Sequence, residues 1–184
     1  STTLYSALTE IADPELNIMT VEDPVEITMR GIAQVQVNSK VSFAGALRSF
    51  LRHDPDVIMV GEIRDSETAD VALKAAMTGH LVFSTLHTNN AVSAIARLVD
   101  IGAERFLVSS TLLAIIAQRL LRRLCSHCCE SKLATVEERR FLKLSDQEVH
   151  VHHPVGCANC LGTGYRGRIG VFESLWVDSD VARL

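Results

Sequence analysis

Residues 54–90 read DPDVIMVGEIRDSETADVALKAAMTGHLVFSTLHTNN, and this segment is the most informative about the fold class. A short apolar run, Val57–Val60, is followed by a glycine and Glu62, and a second apolar run, Leu81–Leu86, is followed by His87. Each run is typical of a buried strand, and a helical pattern lies between them. Because ligands bind beyond the carboxyl ends of strands in open α/β sheets, we expect Glu62 and His87 to lie side by side.

The carboxylate of Glu62 has two interpretations. In many phosphate-cleaving folds a carboxylate at the end of a buried strand holds Mg²⁺ or orients the attacking water. The alternative is that Glu62 only caps the helix that follows. This residue by itself does not decide between them.

The remaining periodicities extend the alternation of helices and strands along the chain. They predict helices over residues 1–12, 43–52, 66–78, 91–101 and 104–124, and strands over residues 16–20, 31–37, 57–61 and 81–86. Three arginines, Arg119, Arg122 and Arg123, would close the last helix, where cations suit the negative end of the helix dipole. We therefore predict an α/β fold with a mostly parallel sheet flanked by helices.

Composition sets limits on partners and compartment. The chain has 184 residues, 47% of them hydrophobic, which allows one domain plus a small module. The net charge is −4 and the pI about 6.0, which argues against nucleic acid as a partner. The first residues lack the basic and apolar segments of a signal peptide, and the longest largely apolar uncharged stretch, residues 106–118, is too short to span a bilayer. We expect a cytoplasmic protein. With no initiator Met and no closing turn, we also expect a piece of a longer chain.

Four cysteines form two closely spaced pairs, Cys125-x-x-Cys128 and Cys157-x-x-Cys160. Two residues between thiolates allow both to bind one ion from a tight turn, and two such turns complete a tetrahedral Zn²⁺ site. Four cysteine ligands leave no position for a substrate, so this site predicts a structural metal. The 28 residues between the pairs require a small subdomain.

Two alternatives to the four-cysteine site stay open. The cysteines could instead form disulfides, although the chain shows no secretory features. A neighbouring histidine could also replace one ligand, the candidates being His127, His150, His152 and His153. The fifth cysteine, Cys129, is interpreted as a bystander.

The glycines of residues 162–167 match GxGxxG but not its context. A dinucleotide-binding motif follows a strand and opens a helix, whereas this one follows a cysteine pair. We interpret these glycines as tight turns around the second cysteine pair.

Charged residues elsewhere suggest a site for phosphates. Glu22, Asp23 and Glu26 follow a predicted strand end and can reach the same edge as Glu62, or they form a solvated acidic loop. Arg48 and Arg52 are spaced i, i+4 and so share one face of a helix. Two guanidinium groups on one face can hold phosphate oxygens. The alternative for them is surface salt bridges to Asp54 or Glu22.

Taken together, these motifs resemble the ATPases of type II secretion and type IV pilus assembly. The resemblance runs through four segments and the four cysteines, and covers almost the whole chain. The segments are Ser1–Tyr5, similar to the tail of a Walker A motif; Thr20–Glu26, similar to the Asp box; Asp54–Asp65, similar to the Walker B region; and Thr78–Asn89, similar to the His box.

The resemblance implies a RecA-like core that uses ATP and Mg²⁺ within a cytoplasmic homo-hexamer. It implies partners in an inner-membrane platform and cytoplasmic adaptors, through which the motor would be peripheral to the inner membrane. It also implies three segments: residues 1–124 as the ATPase core, residues 125–165 as an inserted zinc subdomain, and residues 166–184 as a return to the core. The tetracysteine module is typical of assembly and secretion motors rather than retraction motors.

The roles that the resemblance implies are specific. Glu62 would position the attacking water, Glu22 would support that site, and His87 would sense the γ-phosphate. The residues implied to contact Mg²⁺ or nucleotide are Ser1, Thr2, Arg48, Arg52 and Arg168, with the paired arginines reaching phosphates of their own or a neighbouring subunit.

One departure from the family is the missing glycine-rich loop with its lysine, which cradles the phosphates in P-loop enzymes. We therefore expect the isolated 184-residue chain to hydrolyse essentially no ATP. Two other function classes remain: a zinc-ribbon interaction module on an α/β scaffold without catalysis, and another RecA-like NTPase such as a helicase or a DNA-packaging motor.

Overall fold

The computed structural model describes residues 2–144, 148–178 and 180. They divide into two compact units, the second of which is Gln118–Phe172. The first unit holds the remaining described residues. The three segments predicted from the sequence, residues 1–124, 125–165 and 166–184, remain a prediction about domains.

The first unit contains one parallel sheet. Its elements are α1 (Thr2–Ile11), β1 (Ile18–Glu22), β2 (Ala33–Gln36), α2 (Phe43–Phe50), β3 (Val57–Val60), α3 (Ser66–Met77), β4 (Leu81–Ser84), α4 (Ala91–Asp100) and α5 (Arg105–Thr111). The strand order is β2-β1-β3-β4, and all neighbours are parallel. The predicted α/β class, with a parallel sheet flanked by helices, is confirmed.

Strand β3 is buried along its whole length because helices cover both faces of the sheet. Val57 and Met59 belong to a cluster that includes Leu8 of α1. The alternate residues, Ile58 and Val60, pack into the larger cluster that α2, α3 and α5 complete. A continuous apolar run is what a parallel strand with two covered faces requires.

The ends of β1 and β3 lie close together because residue 61 is a glycine. The Gly61 N–H donates to the carbonyl of Val21 at 2.8 Å. A Cβ at position 61 would lie 3.3 Å from that carbonyl oxygen and 3.4 Å from the Cα of Glu22. A side chain here would push apart the two strand ends that carry Glu22 and Glu62.

Strand β1 lies two residues further along the chain than the 16–20 predicted. Its register with β3 pairs Ile18 with Val57 and Val21 with Val60. Glu22 is therefore the last residue of the strand and is buried, rather than the first residue of a solvated loop. The strand was predicted to end before Glu22 because a glutamate after an apolar run usually marks the start of a loop.

The helix predicted over residues 104–124 is wrong. Helix α5 ends at Thr111, and residues Ala114–Leu124 form strand β5, which pairs with β8 (Tyr165–Trp176). The apolar residues of this stretch fit a helical period, but pairing with β8 overrides it, as tertiary context often does.

The three arginines assigned to a helix C-terminus consequently lie on strand β5 instead. The guanidinium carbon of Arg122 lies 4.0 Å from the centroid of the Tyr165 ring, within the range of a cation–π contact.

The second unit also contains short elements around the cysteines. They are β6 (Glu130–Leu133), α6 (Val136–Phe141), a 3₁₀ turn (Ala158–Cys160) and β7 (His150–His153), which pairs with β6 in antiparallel fashion. Thr135 and Glu138 form a capping box at the start of α6. Across residues 2–144, 148–178 and 180, no helix is long and apolar enough to cross a membrane.

Candidate active site and metal centre

A cavity of about 350 Å³ lies at the carboxyl ends of the parallel strands. Its walls include four carboxylates and three further polar side chains. These seven residues are Tyr5, Glu22, Asp23, Glu26, Glu62, Thr85 and His87. The structure therefore brings together Glu22, Glu62 and His87, the three residues that the sequence singled out for catalysis.

Glu62 is 9% exposed and hydrogen-bonded on both carboxylate oxygens. Arg64 forms an ion pair with Oε1, and His87 Nε2 donates to Oε2 at 2.8 Å. Burial alone would raise the pKa of Glu62, but the hydrogen bonds from Arg64 and His87 outweigh it, so the pKa lies below its usual value. Glu62 is therefore ionised at neutral pH.

Glu62 does not cap the following helix. The N-cap of α3 is Asp65, whose side chain accepts a hydrogen bond from the backbone N–H of Thr68 at 2.8 Å. The capping alternative for Glu62 is thus wrong, and its buried, ionised carboxylate faces the cavity without a role in helix termination.

Glu22 is 4% exposed and also bonded on both oxygens. Oε1 accepts from the Thr20 hydroxyl at 2.7 Å and from the Gln34 amide at 3.0 Å. Oε2 accepts from the hydroxyl of Tyr5 in α1. Burial and this hydrogen bond raise the pKa of Tyr5 above its usual value, so the phenol is a donor at neutral pH.

Arg48 and Arg52 are not among the residues that line this cavity. Arg48 forms an exposed ion pair with Glu67 at 2.8 Å, and Arg52 donates to the Arg48 carbonyl at 3.0 Å. The predicted alternative, a surface salt bridge, is therefore confirmed for Arg48. Its partner is Glu67, however, and not Asp54 or Glu22 as predicted.

The other residues predicted to contact Mg²⁺ or nucleotide are Ser1, Thr2 and Arg168, and the described ones, Thr2 and Arg168, do not line this cavity. Thr2 is the exposed first residue of α1, and Ser1 lies outside the described residues. Arg168 is exposed on β8, within the second unit.

Sequence reasoning missed two residues at this site, Arg64 and Tyr5. The signal for Arg64 was the sequence Glu62-Ile63-Arg64, which puts opposite charges two residues apart immediately after a strand. Tyr5 lies 17 residues before Glu22, and no local pattern joins them.

The four predicted metal ligands, Cys125, Cys128, Cys157 and Cys160, lie together in the second unit, their sulfur atoms within 4.8 Å of one another. The Sγ–Sγ distance is 3.9 Å for Cys125–Cys157 and 3.8 Å for both Cys128–Cys160 and Cys157–Cys160. Zn–S bonds of about 2.3 Å in a tetrahedron put sulfur atoms about 3.8 Å apart. The spacing fits one tetrahedral metal ion.

Backbone N–H groups point at the sulfurs, as a thiolate site requires. The N–H groups of Cys157 and Gly164 each donate to Cys160 Sγ at 3.2 Å. Burial acts to raise the pKa of the Cys160 thiol, but these donors outweigh it and lower the pKa to about 6. Burial raises the pKa of Cys128 to about 12. Four thiols this close cannot all ionise unless a cation lies between them.

The structure shows neither of the two alternatives for the cysteines, disulfide bonds or a histidine ligand. All five cysteines are free, and the sulfur spacing is nearly twice the length of an S–S bond, about 2.05 Å. Cys129 and the four nearby histidines lie outside the cluster.

Gly162 and Gly164 lie in the predicted turns, whereas Gly167 lies within strand β8. Gly162, Gly164 and Gly167 all have positive φ, and a Cβ at Gly164 would lie 2.5 Å from the Cβ of Pro154.

The fold and the site define a class: a parallel α/β protein with clustered carboxylates at its strand ends and a separate tetracysteine centre. The sequence profile of the type II/IV secretion system protein family matches residues 1–184, and the chain belongs to that family.

Close relatives come from secretion and pilus systems. The chain is 53% identical over 183 residues to the type II secretion system protein E of Klebsiella pneumoniae, covering 98% of this chain and 37% of that relative. It is 52% identical over 187 residues to the type II secretion system ATPase E of Vibrio cholerae, covering 100% and 37%. Identity is 46% over 191 residues with the type IV pilus assembly ATPase TfpB of Acinetobacter baylyi, covering 100% and 32%. The chain thus spans about a third of these relatives.

Solved structures share the fold. The pilus retraction motor PilT with bound ADP superposes with a TM-score of 0.68 at 32% identity, covering 99% of this chain and 44% of that one. The ATPase DotB of Yersinia pseudotuberculosis has a TM-score of 0.69 at 26% identity, covering 99% and 41%.

Proposed function

We propose that this chain is the hydrolytic part of an ATPase that powers type II secretion or type IV pilus assembly. The observation that carries the proposal is the cavity at the strand ends, where Glu22, Glu62 and His87 meet. Two relatives, 52% and 46% identical to this chain, are named as secretion and pilus assembly ATPases, and the similar PilT structure holds ADP, which supports the nucleotide class.

Glu62 is proposed to orient and activate the attacking water. An ionised carboxylate can accept a hydrogen bond from water and so align its oxygen with a phosphorus atom. The two donors, Arg64 and His87, keep Glu62 ionised and fix its direction. The His87 side chain is largely exposed, which leaves it accessible to the γ-phosphate that it is proposed to sense.

The carboxylate oxygens around the cavity suit a hard cation such as Mg²⁺, which prefers oxygen ligands and neutralises phosphate charge when bound. Glu22 supports this group of carboxylates from the end of β1. Ser1 is proposed to contact the metal, and Thr2, the first residue of α1, is proposed to contact the nucleotide.

Arg48, Arg52 and Arg168 are proposed to contact nucleotide from outside the cavity. The ion pair of Arg48 with Glu67 is exposed at both partners and therefore weak. Such a pair can be exchanged for a phosphate at little cost. Because these arginines do not line the cavity of their own subunit, we propose that they contact the nucleotide of a neighbouring subunit.

The tetracysteine centre is proposed to hold one structural Zn²⁺ through Cys125, Cys128, Cys157 and Cys160. The donor set and spacing described above support zinc. When bound, the ion would offset the charge of four thiolates and cross-link the two cysteine turns.

At the level of assembly we propose a cytoplasmic homo-hexamer. It would be peripheral to the inner membrane and dock on a membrane platform and cytoplasmic adaptors of the secretion or pilus system. The family membership supports the link to a secretion or pilus system.

Steady-state ATPase assays on the full-length protein test the proposal. The full-length form is needed because the 184 residues contain no glycine-rich loop with its lysine. Glu62→Gln is expected to lower kcat by about 10²- to 10³-fold, the usual size of such a catalytic contribution. Glu10→Gln, the same chemical change at an exposed position of α1, should retain wild-type turnover. Equal turnover in the two variants would refute the role of Glu62.

A further inference from the structure

The hydroxyl group of Tyr5 joins α1 to the acidic end of β1. It donates a hydrogen bond to Glu22 Oε2 and accepts hydrogen bonds from the backbone N–H groups of Glu26, at 3.1 Å, and Ile27, at 3.3 Å. A phenolic hydroxyl has one donor and two acceptor positions, so its capacity is full. Tyr5 is 5% exposed, and little water competes for these bonds.

Glu22, for its part, accepts three hydrogen bonds from protein groups. Thr20 and Gln34 occupy Oε1, which leaves Tyr5 as the described donor to Oε2. A carboxylate bonded at both oxygens within a buried network keeps one orientation. The donor to Oε2 differs from the other two because it comes from a helix rather than from the sheet.

The same hydroxyl fixes the loop that follows Glu22. Asp23 and Glu26 of this loop line the cavity together with Glu62. Through the N–H groups of residues 26 and 27, Tyr5 holds the far end of the loop while it holds Glu22 at the near end. One hydroxyl therefore contacts both ends of the segment that carries Glu22, Asp23 and Glu26.

We propose that Tyr5 is a positioning residue for ATP hydrolysis: its hydroxyl fixes Glu22 and the loop of residues 23–27 against α1, so that their carboxylates face the reacting phosphate. The proposal rests on the ATPase function proposed above. Tyr5 acts through Glu22 and takes no proton from the substrate. Since α1 begins at the proposed nucleotide contact, a movement of that helix reaches Glu22 through this hydroxyl.

Tyr5→Phe in the full-length protein tests this role, because phenylalanine keeps the buried ring and removes only the hydroxyl. We expect kcat to fall about tenfold, the size of one hydrogen bond to a charged group, while the KM for ATP stays within about twofold. Tyr165→Phe is the matched control, since Tyr165 is the other tyrosine of this chain and lies on β8. It should retain wild-type values. A wild-type kcat in Tyr5→Phe would overturn the proposal, as would equal losses of kcat in both variants.

A spectroscopic measurement separates this inference from the ATPase proposal. With ¹³Cζ-labelled tyrosine in the full-length protein, the resonance missing in Tyr5→Phe belongs to Tyr5. Glu22→Gln should shift that resonance, whereas Glu10→Gln should leave it in place. An unmoved resonance in Glu22→Gln would overturn the inference even if ATPase activity is present. A wild-type protein without turnover would refute the ATPase proposal instead.

Discussion

At position 62, a carboxylate with little exposure stays ionised because two neighbouring side chains donate to it. Burial raises the pKa of Glu62 and so favours the neutral acid, whereas the hydrogen bonds from Arg64 and His87 lower the pKa and favour the charged form that can bind a water. Of these two donors, the sequence indicated His87, because it follows the next strand of the sheet. It did not indicate Arg64, because the local signal, two opposite charges two residues apart after a strand, does not by itself imply an ion pair.

The Arg64 contact predicts a change in pH dependence. Arg64 hydrogen-bonds the ionised form of Glu62 and so lowers its pKa; without Arg64 the pKa of Glu62 rises. Activity that needs ionised Glu62 is lost as the pH falls through that pKa. We therefore expect the acid limb of the kcat/KM profile to move to higher pH in Arg64→Ala. Arg105→Ala, an exposed arginine of α5, is the control, and an acid limb shared by all three proteins would contradict the prediction.

At the scale of elements, the strands and helices of residues 54–90 could be predicted because several signals agree. A continuous apolar run, a helical period and a glycine after the helix occur in the order that a βαβ unit requires. Residues 104–124 lacked such agreement. There the chain contains neither a helix-stopping glycine nor a proline, and the partner strand β8 is about 40 residues away. Pairing at that distance is invisible to a local pattern.

The cap of α3 gives a prediction about stability. Asp65→Ala removes the acceptor for the N–H of Thr68 and should lower the free energy of unfolding by about 1 kcal/mol. Asp70→Ala is the control: it breaks only an exposed ion pair with Lys74, and should change stability by less than about 0.5 kcal/mol. Urea unfolding of the three proteins measures both values. Equal effects would mean that Asp65 is not the effective cap.

At the scale of the whole molecule, the cysteine spacing predicted that the four thiols lie together, because two CxxC pairs are typical of one shared metal site. The limits of the unit around it were not predictable in the same way, since they depend on how β5 and β8 pair. The carboxylate cavity was also predictable only in part. Its place at one edge of the sheet could be predicted, because parallel strands end at the same edge. The contact of Tyr5 with Glu22 could not be predicted, because the tertiary fold alone brings α1 to this edge.

The metal centre predicts a selective loss on mutation. The protein should bind one Zn²⁺ at this cluster, and Cys160→Ser should abolish stoichiometric binding, whereas Cys129→Ser should not. Without the ion, four thiols repel when ionised, so residues 118–172 should lose amide protection in hydrogen exchange. The parallel sheet of the first unit has its own core and should keep its protection. Metal analysis with well under one Zn²⁺ per chain in the reduced wild-type protein would contradict the assignment.

We propose that the cavity at the strand ends hydrolyses ATP, with Glu62 as the water-positioning carboxylate. The most direct test is a single-turnover experiment in which the full-length protein, in excess over radiolabelled ATP and with Mg²⁺ present, is quenched and its bound nucleotide identified. We predict that the wild-type protein and Glu10→Gln hold mainly ADP, whereas Glu62→Gln binds as much nucleotide but holds it as ATP. If Glu62→Gln cleaves bound ATP at the wild-type rate, the assignment of this site is wrong.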